Sequence, residues 1–346
     1  MPVILVTGAT GKQGSAVIDV LLDQQKQDTS PILALTRNPS SPGAEKLAAK
    51  SPRIKLVQGD LNDVECIFKE AKKVLSQCEP QTHQDHSVWG VFSVQVSEGP
   101  GVTVESEVAQ GKALIDASIA HGVQHFVYSS VERGGDEASW TNPTPVPHFQ
   151  SKFQIEQYLH DTASWARPIS ANKDTGSNSK PTNMGWTILR PVAFMDNLTP
   201  GIPTKMFLAA VRNYMGQNGK PSQWVAVKDV GVFAAKAFSK PKEWNKRAVG
   251  IAGDELTFEQ LSRAFAKATG HPAPATYWFF GSALTYAVKE LRVMLEWFVS
   301  DGYKADIPAR RREHPGLLTM EQWLIRESGF ALQRAGIESD GHIIAL

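Results

Sequence analysis

The stretch Met1-Pro-Val-Ile-Leu-Val-Thr-Gly-Ala-Thr-Gly-Lys-Gln-Gly14 decides how the rest of the chain is read. A short apolar run, Val3 to Val6, ends in three glycines, and an apolar-periodic segment from Ser15 to Leu22 follows. That order predicts strand, tight turn, helix. Gly8 lets the chain turn sharply, Gly11 withholds a side chain where a pyrophosphate would approach, and Gly14 lets helix and strand pack closely. The helix N-terminus adds free N–H groups and the positive end of its dipole. The spacing is G-x-x-G-x-x-G rather than the commoner G-x-G-x-x-G, and an isolated glycine triplet is often no more than a turn. Placed on the first predicted strand, it marks a dinucleotide site made of Gly8, Thr10, Gly11, Lys12, Gln13 and Gly14.

The second strand, Ile32-Leu-Ala-Leu-Thr-Arg37-Asn-Pro39, says which dinucleotide. An NAD site typically carries an acid there to accept the ribose 2′-hydroxyl. No acid occurs between Ser30 and Ala44, whereas Thr36, Arg37, Asn38 and Ser40 can surround a 2′-phosphate. The planar fork of Arg37 suits a phosphate. The expected cofactor is NADP(H); the bland alternative is a solvated surface arginine.

The 346 residues carry 36 Lys and Arg against 35 Asp and Glu, a net charge of +1. This balance gives no support to nucleic acid or an anionic membrane as partner. Only Cys66 and Cys78 occur, without metal-ligand spacing, so reduced thiols and no metal are expected. The first strand leaves no room for a signal peptide, and no apolar run reaches membrane-spanning length. The expectation is a soluble, cytoplasmic protein, with the nucleus as a second place, acting as a monomer or weak dimer.

Further strands are predicted at Ile54 to Asn62, ending over the site, and at Trp89 to Ser93, His125 to Ser130 and Trp186 to Arg190. Helices are predicted near Val64 to Leu75, Glu105 to His121 and through Phe153 to His160. Strands alternating with helices predict an α/β fold, a doubly wound parallel sheet of Rossmann type, with ligand at the strands' carboxyl ends. Gly8, Arg37, Asp60, Ser93, Ser129 and Phe194 all fall at such ends. The nucleotide domain is assigned mainly to residues 1–198, a smaller C-terminal α+β lobe to 199–330, with some Rossmann elements contributed from that stretch, and a tail to 331–346. Polar segments Cys78 to His86 and Ala163 to Asn183 read as exposed loops. His83 and His86 lie in the first, with no further ligand placed to make a metal site. Helices are also expected over Asp229 to Phe238 and Leu256 to Thr269, the latter with a Thr257–Gln260 capping box. Aromatics gather at Tyr277 to Phe280 and Met294 to Phe298, as lobe core or as cleft wall.

With these residues in place, the chain resembles the NmrA-like family of atypical short-chain dehydrogenase/reductases. The resemblance rests on Gly8-Ala-Thr-Gly11-Lys-Gln-Gly14, Leu35-Thr-Arg37-Asn-Pro39, Gly59-Asp60-Leu61, Val127-Tyr-Ser129-Ser, His148-Phe-Gln-Ser-Lys152, Arg190-Pro-Val-Ala-Phe194-Met-Asp-Asn197 and Val227-Lys-Asp229-Val-Gly231. Gly302-Tyr-Lys-Ala-Asp306 and Met320-Glu-Gln-Trp323 look similar too. It implies that the glycine loop holds the pyrophosphate, Arg37 the 2′-phosphate, and Asp60 and Leu61 the adenine side. Lys152 and the turn from Phe194 to Asn197 would lie near the nicotinamide and its ribose. A lysine there can hydrogen-bond ribose hydroxyls and strengthen a neighbouring acid by its charge.

The chain departs from the ordinary Tyr-x-x-x-Lys of short-chain dehydrogenases. His148 stands at the Tyr position, with Lys152 at the usual spacing. A histidine can serve as general acid or base near neutral pH, and Ser129 or Ser130 can polarise a carbonyl. His148 equally reads as a loop residue behind Pro145 and Pro147, and Ser129 as a turn or helix cap. Two functions follow. In one, the chain is an NADP(H)-dependent oxidoreductase, or a redox-neutral variant, acting on a small molecule of specialised metabolism in an aromatic C-terminal cleft. Its catalytic residues would be His148, Lys152 and Ser129. In the other it is a silent NADPH/NADP sensor that regulates transcription through a protein partner. The aromatic wealth of Ala275 to Tyr303 favours the enzyme, although an exposed aromatic patch would serve a partner equally well.

Overall fold

The computed structural model describes residues 2–24, 29–78, 87–97, 99, 101–164, 184–216 and 219–330. Its strands are β1 (Ile4–Val6), β2 (Ile32–Thr36), β3 (Ile54–Gln58), β4 (Gly90–Ser93), β5 (His125–Ser129), β6 (Gly185–Pro191), β7 (Ala193–Phe194), β8 (Ser222–Val225), β9 (Arg247–Ile251) and β10 (Asp254–Leu256). Its helices are α1 (Lys12–Gln24), α2 (Pro42–Ala48), α3 (Val64–Ser76), α4 (Val104–Ala120), α5 (Pro147–Ser164), α6 (Ile202–Met215), α7 (Val227–Ser239), α8 (Pro241–Trp244), α9 (Phe258–Thr269), α10 (Trp278–Ala287), α11 (Lys289–Ser300), α12 (Ile307–Glu313) and α13 (Met320–Arg326). Two compact units result. The first comprises Met1–Val131, Asp136–Pro191 and Val227–Gly250; the second comprises Glu132–Gly135, Val192–Ala226 and Ile251–Leu346.

The first unit is built on a seven-stranded sheet in the order β3-β2-β1-β4-β5-β6-β9. Strands β1 to β6 pair in parallel, with Ile4 opposite both Ile32 and Gly90. Covered by helices, β1 and β2 are buried at every position, which is why they read as unbroken apolar runs rather than as alternation. Strand order reverses direction at β1, between β2 and β4, and such a switch point opens a crevice at the strands' carboxyl ends. Helix α7 lies against α1 because Gly231 has no side chain; a Cβ there would stand 2.7 Å from the Ala16 carbonyl oxygen.

A three-stranded mixed sheet organises the second unit: β8 pairs parallel with β7 and antiparallel with β10. Leu261 and Phe265 of α9 share a core with Trp323 and Leu324 of α13. Thr257 caps α9 through a capping box with Gln260, as expected, and Thr319 does the same for α13 with Gln322.

The first unit leaves the chain at Pro191 rather than at residue 198 and takes in α7 and β9 up to Gly250 from the stretch beyond, because α7 packs on α1 and β9 extends the sheet beside β6. Phe153 to His160 lie within α5, which begins at Pro147, so His148 and Lys152 lie on its first turns. Pro suits such a place, since a first-turn N–H has no intrahelical acceptor. Residues 165–183, 331–346 and 79–86, with His83 and His86, lie outside the described residues.

Candidate functional site

The glycine loop closes β1 into α1 through backbone shape alone. Gly8 adopts φ +57°, a conformation that glycine takes without steric cost. The Gly11 amide donates to the Gly8 carbonyl at 2.9 Å, and the Ser15 amide to that of Gly11 at 3.0 Å. A Cβ on Gly14 would collide with the Gly8 carbonyl. Gly11 differs: a Cβ there would meet only the Gly8 oxygen, at 3.2 Å. Its missing side chain therefore spares a tight contact with that one carbonyl, and Gly8, Thr10, Gly11 and Lys12 are all exposed. The first-turn amides of Lys12, Gln13 and Gly14 have no intrahelical acceptors. An open, side-chain-free cradle in front of a thirteen-residue helix suits a diphosphate.

At the end of β2 the chain turns through its own side chains. The Thr36 hydroxyl donates to the Asn38 carbonyl (3.2 Å), and the Ser40 amide donates to Asn38 Oδ1 (3.0 Å). Arg37 is exposed, and its guanidinium has no partner among the described residues. Gly43 brings the start of α2 beside the loop: a Cβ on it would lie 4.0 Å from Thr10 Cβ. At the end of β3, Asp60 Oδ1 accepts from the Asn62 amide at 2.9 Å, and Leu61 packs partly buried against the core.

The ends of β4 and β5 are polar and buried. The Thr7 hydroxyl donates to the Val94 carbonyl (2.9 Å) and accepts from the Val94 amide (2.8 Å). The Gln95 amide donates to Ser93 Oγ at 2.9 Å, leaving its own Oε1 buried without a partner. Ser129 donates to Gln13 Oε1 at 2.5 Å. That bond brings the expected catalytic serine and the glycine loop together, and it occupies the proton that carbonyl polarisation would need.

On α5, His148 is half-buried, its ring edge-on to Phe149 with centroids 4.7 Å apart. Lys152, 8 % exposed, places Nζ 2.8 Å from Oε1 of Glu107 on α4. The other oxygen of Glu107 accepts from Ser151 Oγ at 2.5 Å. Farther along α5, Glu156 meets Arg190 from the end of β6 at 2.8 Å, and both side chains are fully buried. Arg190 also donates to the Asp136 carbonyl at 2.8 Å and lies 4.4 Å over the Trp140 ring.

Phe194 and Asn197 belong to the second unit, Phe194 ending β7 and Asn197 closing a 3-10 turn, Met195–Asn197. The aromatic segment divides. Trp297, Phe298 and Tyr303 are core, with Trp297 and Tyr303 ring centroids 5.3 Å apart. Burial and the nearby Glu132 carboxylate push the Tyr303 phenol well above its ordinary value. Tyr277, Trp278, Phe279, Phe280 and Tyr286 are exposed. A hollow of about 370 Å³ in this unit is bordered by Asn213, Tyr214, Glu296, Val299 and Ser300, none of them from the exposed aromatic group. Among the described residues, no His, Cys, Asp and Glu cluster could hold a metal, and no helix is long and apolar enough to cross a membrane.

Glu107 and Glu156 escaped the sequence reading. Glu107 sits in Val104-Glu-Ser-Glu-Val, which looks like a solvated helix face, and its partners follow 44 and 45 residues later.

The comparisons agree with this architecture. The chain is 25 % identical, over 94 % of itself and 97 % of the relative, to the NmrA-like family domain-containing oxidoreductase ptmS of Penicillium ochrochloron. In fold it is similar to NmrA, a negative transcriptional regulator solved in complex with NADP, at TM-score 0.64, 19 % identity and 98 % coverage of both chains. It is similar also to an NADPH-dependent quinone oxidoreductase of Escherichia coli in complex with NADPH, at TM-score 0.61, 19 % identity, and 93 % and 98 % coverage. The model of the NmrA-like family matches residues 2–307, and the chain belongs to that family.

Proposed function

We propose that the chain binds NADP(H) at the glycine loop and is an oxidoreductase acting on a small organic molecule. The observation that carries the cofactor is the acid-free end of β2, where exposed Arg37 has no partner among the described residues beside an open cradle at Gly11. The loop amides would hold the pyrophosphate, Arg37 the 2′-phosphate, Asp60 and Leu61 the adenine side, and Lys152 the ribose hydroxyls on the nicotinamide side. Ser93 would complete the binding set within the first unit. When bound, the nicotinamide supplies or takes the hydride. His148 would move the substrate proton, and Ser129, whose hydroxyl is given to Gln13, would hold the loop against β5.

Oxidoreductase chemistry is supported by the name of the relative ptmS and the fold likeness to a quinone oxidoreductase. Small molecules of specialised metabolism fit the fungal relatives that carry such names. The exposed aromatic group from Tyr277 to Phe280, together with likeness to a transcriptional regulator, supports a silent sensor as the second reading. Consumption of NADPH in the presence of quinones, enones or imines tests the choice. Turnover is expected, and His148→Ala should lower it by about a hundredfold with NADP(H) affinity kept. Full binding without consumption of NADPH would support the sensor, and unchanged turnover in His148→Ala would remove that residue from proton transfer.

A further inference from the structure

We propose that Glu107 positions Lys152 for the dinucleotide, an inference that rests on reading Lys152 as a ribose-hydroxyl ligand. A lysine has a long flexible stem, and an unpinned ammonium samples many places. Here both helices fix it. Glu107 is 2 % exposed, and its two oxygens are separately engaged, Oε1 by Lys152 at 2.8 Å and Oε2 by Ser151 at 2.5 Å. The Ser151 bond sets the carboxylate plane, which in turn sets where Nζ rests. One turn along α4, Gly111 sets the spacing of the helices: a Cβ there would lie 2.5 Å from Ile155 Cδ1 of α5.

The neighbouring buried pair shows what a purely structural arrangement looks like. Arg190 is fully buried and spends its donors on both oxygens of Glu156 and on the Asp136 carbonyl. An ammonium has three donors. Glu107 takes one of those of Lys152, whose side chain keeps a tenth of its surface exposed. Glu107 thus fixes Nζ while leaving donors for hydroxyl groups of a bound ligand. Acting through Lys152, it is a positioning residue.

Calorimetric titration with two ligands tests this role. NADP⁺ contains the nicotinamide-side ribose; adenosine 2′,5′-bisphosphate lacks it and reports the adenine side and the folded fraction. Glu107→Gln should weaken NADP⁺ on the order of tenfold and leave the bisphosphate unchanged. In a Lys152→Ala background, which should itself weaken NADP⁺, the same substitution should add nothing, since coupled residues are non-additive. The role is overturned if Glu107→Gln binds NADP⁺ as the wild type does, if it weakens both ligands equally, if the losses add, or if Lys152→Ala has no effect. A wild-type chain that binds neither ligand would instead overturn the dinucleotide reading, and this role with it.

Discussion

The glycine loop and the seam between α4 and α5 lie in the same unit and hold their shapes by opposite means. In the loop the decisive atoms are missing ones: Gly8, Gly11 and Gly14 define a cradle by having no side chains, and backbone bonds of 2.9 and 3.0 Å fix it. In the seam the decisive atoms are charged side-chain ends, Lys152 on Glu107 and, farther along α5, Glu156 on Arg190. A loop of this kind is damaged by adding atoms, and a seam of this kind by removing one partner, because the other charge is then buried alone.

Glu156→Ala is therefore expected to be the most damaging single change, since both side chains of that pair have zero exposure. The unfolding free energy measured in urea should fall by about 4 kcal/mol; a fall below about 1 kcal/mol would mean that Arg190 finds other acceptors. In the loop, Gly14→Ala pushes a methyl group into the Gly8 carbonyl and should cost about 3 kcal/mol. Gly11→Val makes the sharper contrast. Its Cβ would meet only the Gly8 oxygen, at 3.2 Å, so the substitution should cost less stability than Gly14→Ala, about 1 kcal/mol, while the branched side chain fills the pyrophosphate's place and abolishes binding of either dinucleotide. Retained affinity would reduce the loop to a turn.

The opposite end of β5 supplies a pH-dependent counterpart. His125 is 1 % exposed, bonds Thr187 Oγ1 at 2.9 Å and packs against Trp89 and Phe238; burial lowers its pKa from 6.5 to about 4. Between those values the unfolded chain binds more protons than the folded one, so stability rises with pH. Its full contribution is present above pH 6.5 and is lost as pH falls towards about 4, a change on the order of 3 kcal/mol. Urea unfolding across that window should show the slope, and His125→Phe should flatten it. An unchanged slope in the variant would assign the acid sensitivity to other groups.

The loop was legible and the seam was not, for a physical reason. Glycine spacing and unbroken apolar runs are local patterns, so β1, α1 and β2 follow from a few dozen residues. Strand ends place Arg37, Asp60 and Ser129 with equal economy. The seam is a tertiary fact: the partners of Glu107 lie on another helix, and nothing local separates it from exposed Glu105. In the second unit, β7 has two residues and β10 three, too few for any periodicity to show. The Thr319–Gln322 box was readable by the rule that found Thr257 and Gln260, and it would have marked the start of α13. His148 read either as a proton-transfer residue or as a loop residue behind Pro145 and Pro147, whereas Pro147 begins the helix.

On the function proposed, this cradle and Arg37 together select NADP(H). Titration of NADP⁺ and NAD⁺ into the wild type and into Arg37→Glu tests it most directly. The wild type should prefer NADP⁺, and the substitution should remove about 2 kcal/mol of that preference by replacing a phosphate-binding fork with a like charge, leaving NAD⁺ affinity nearly unchanged. Equal wild-type affinities, or equal losses for both dinucleotides on substitution, would contradict it.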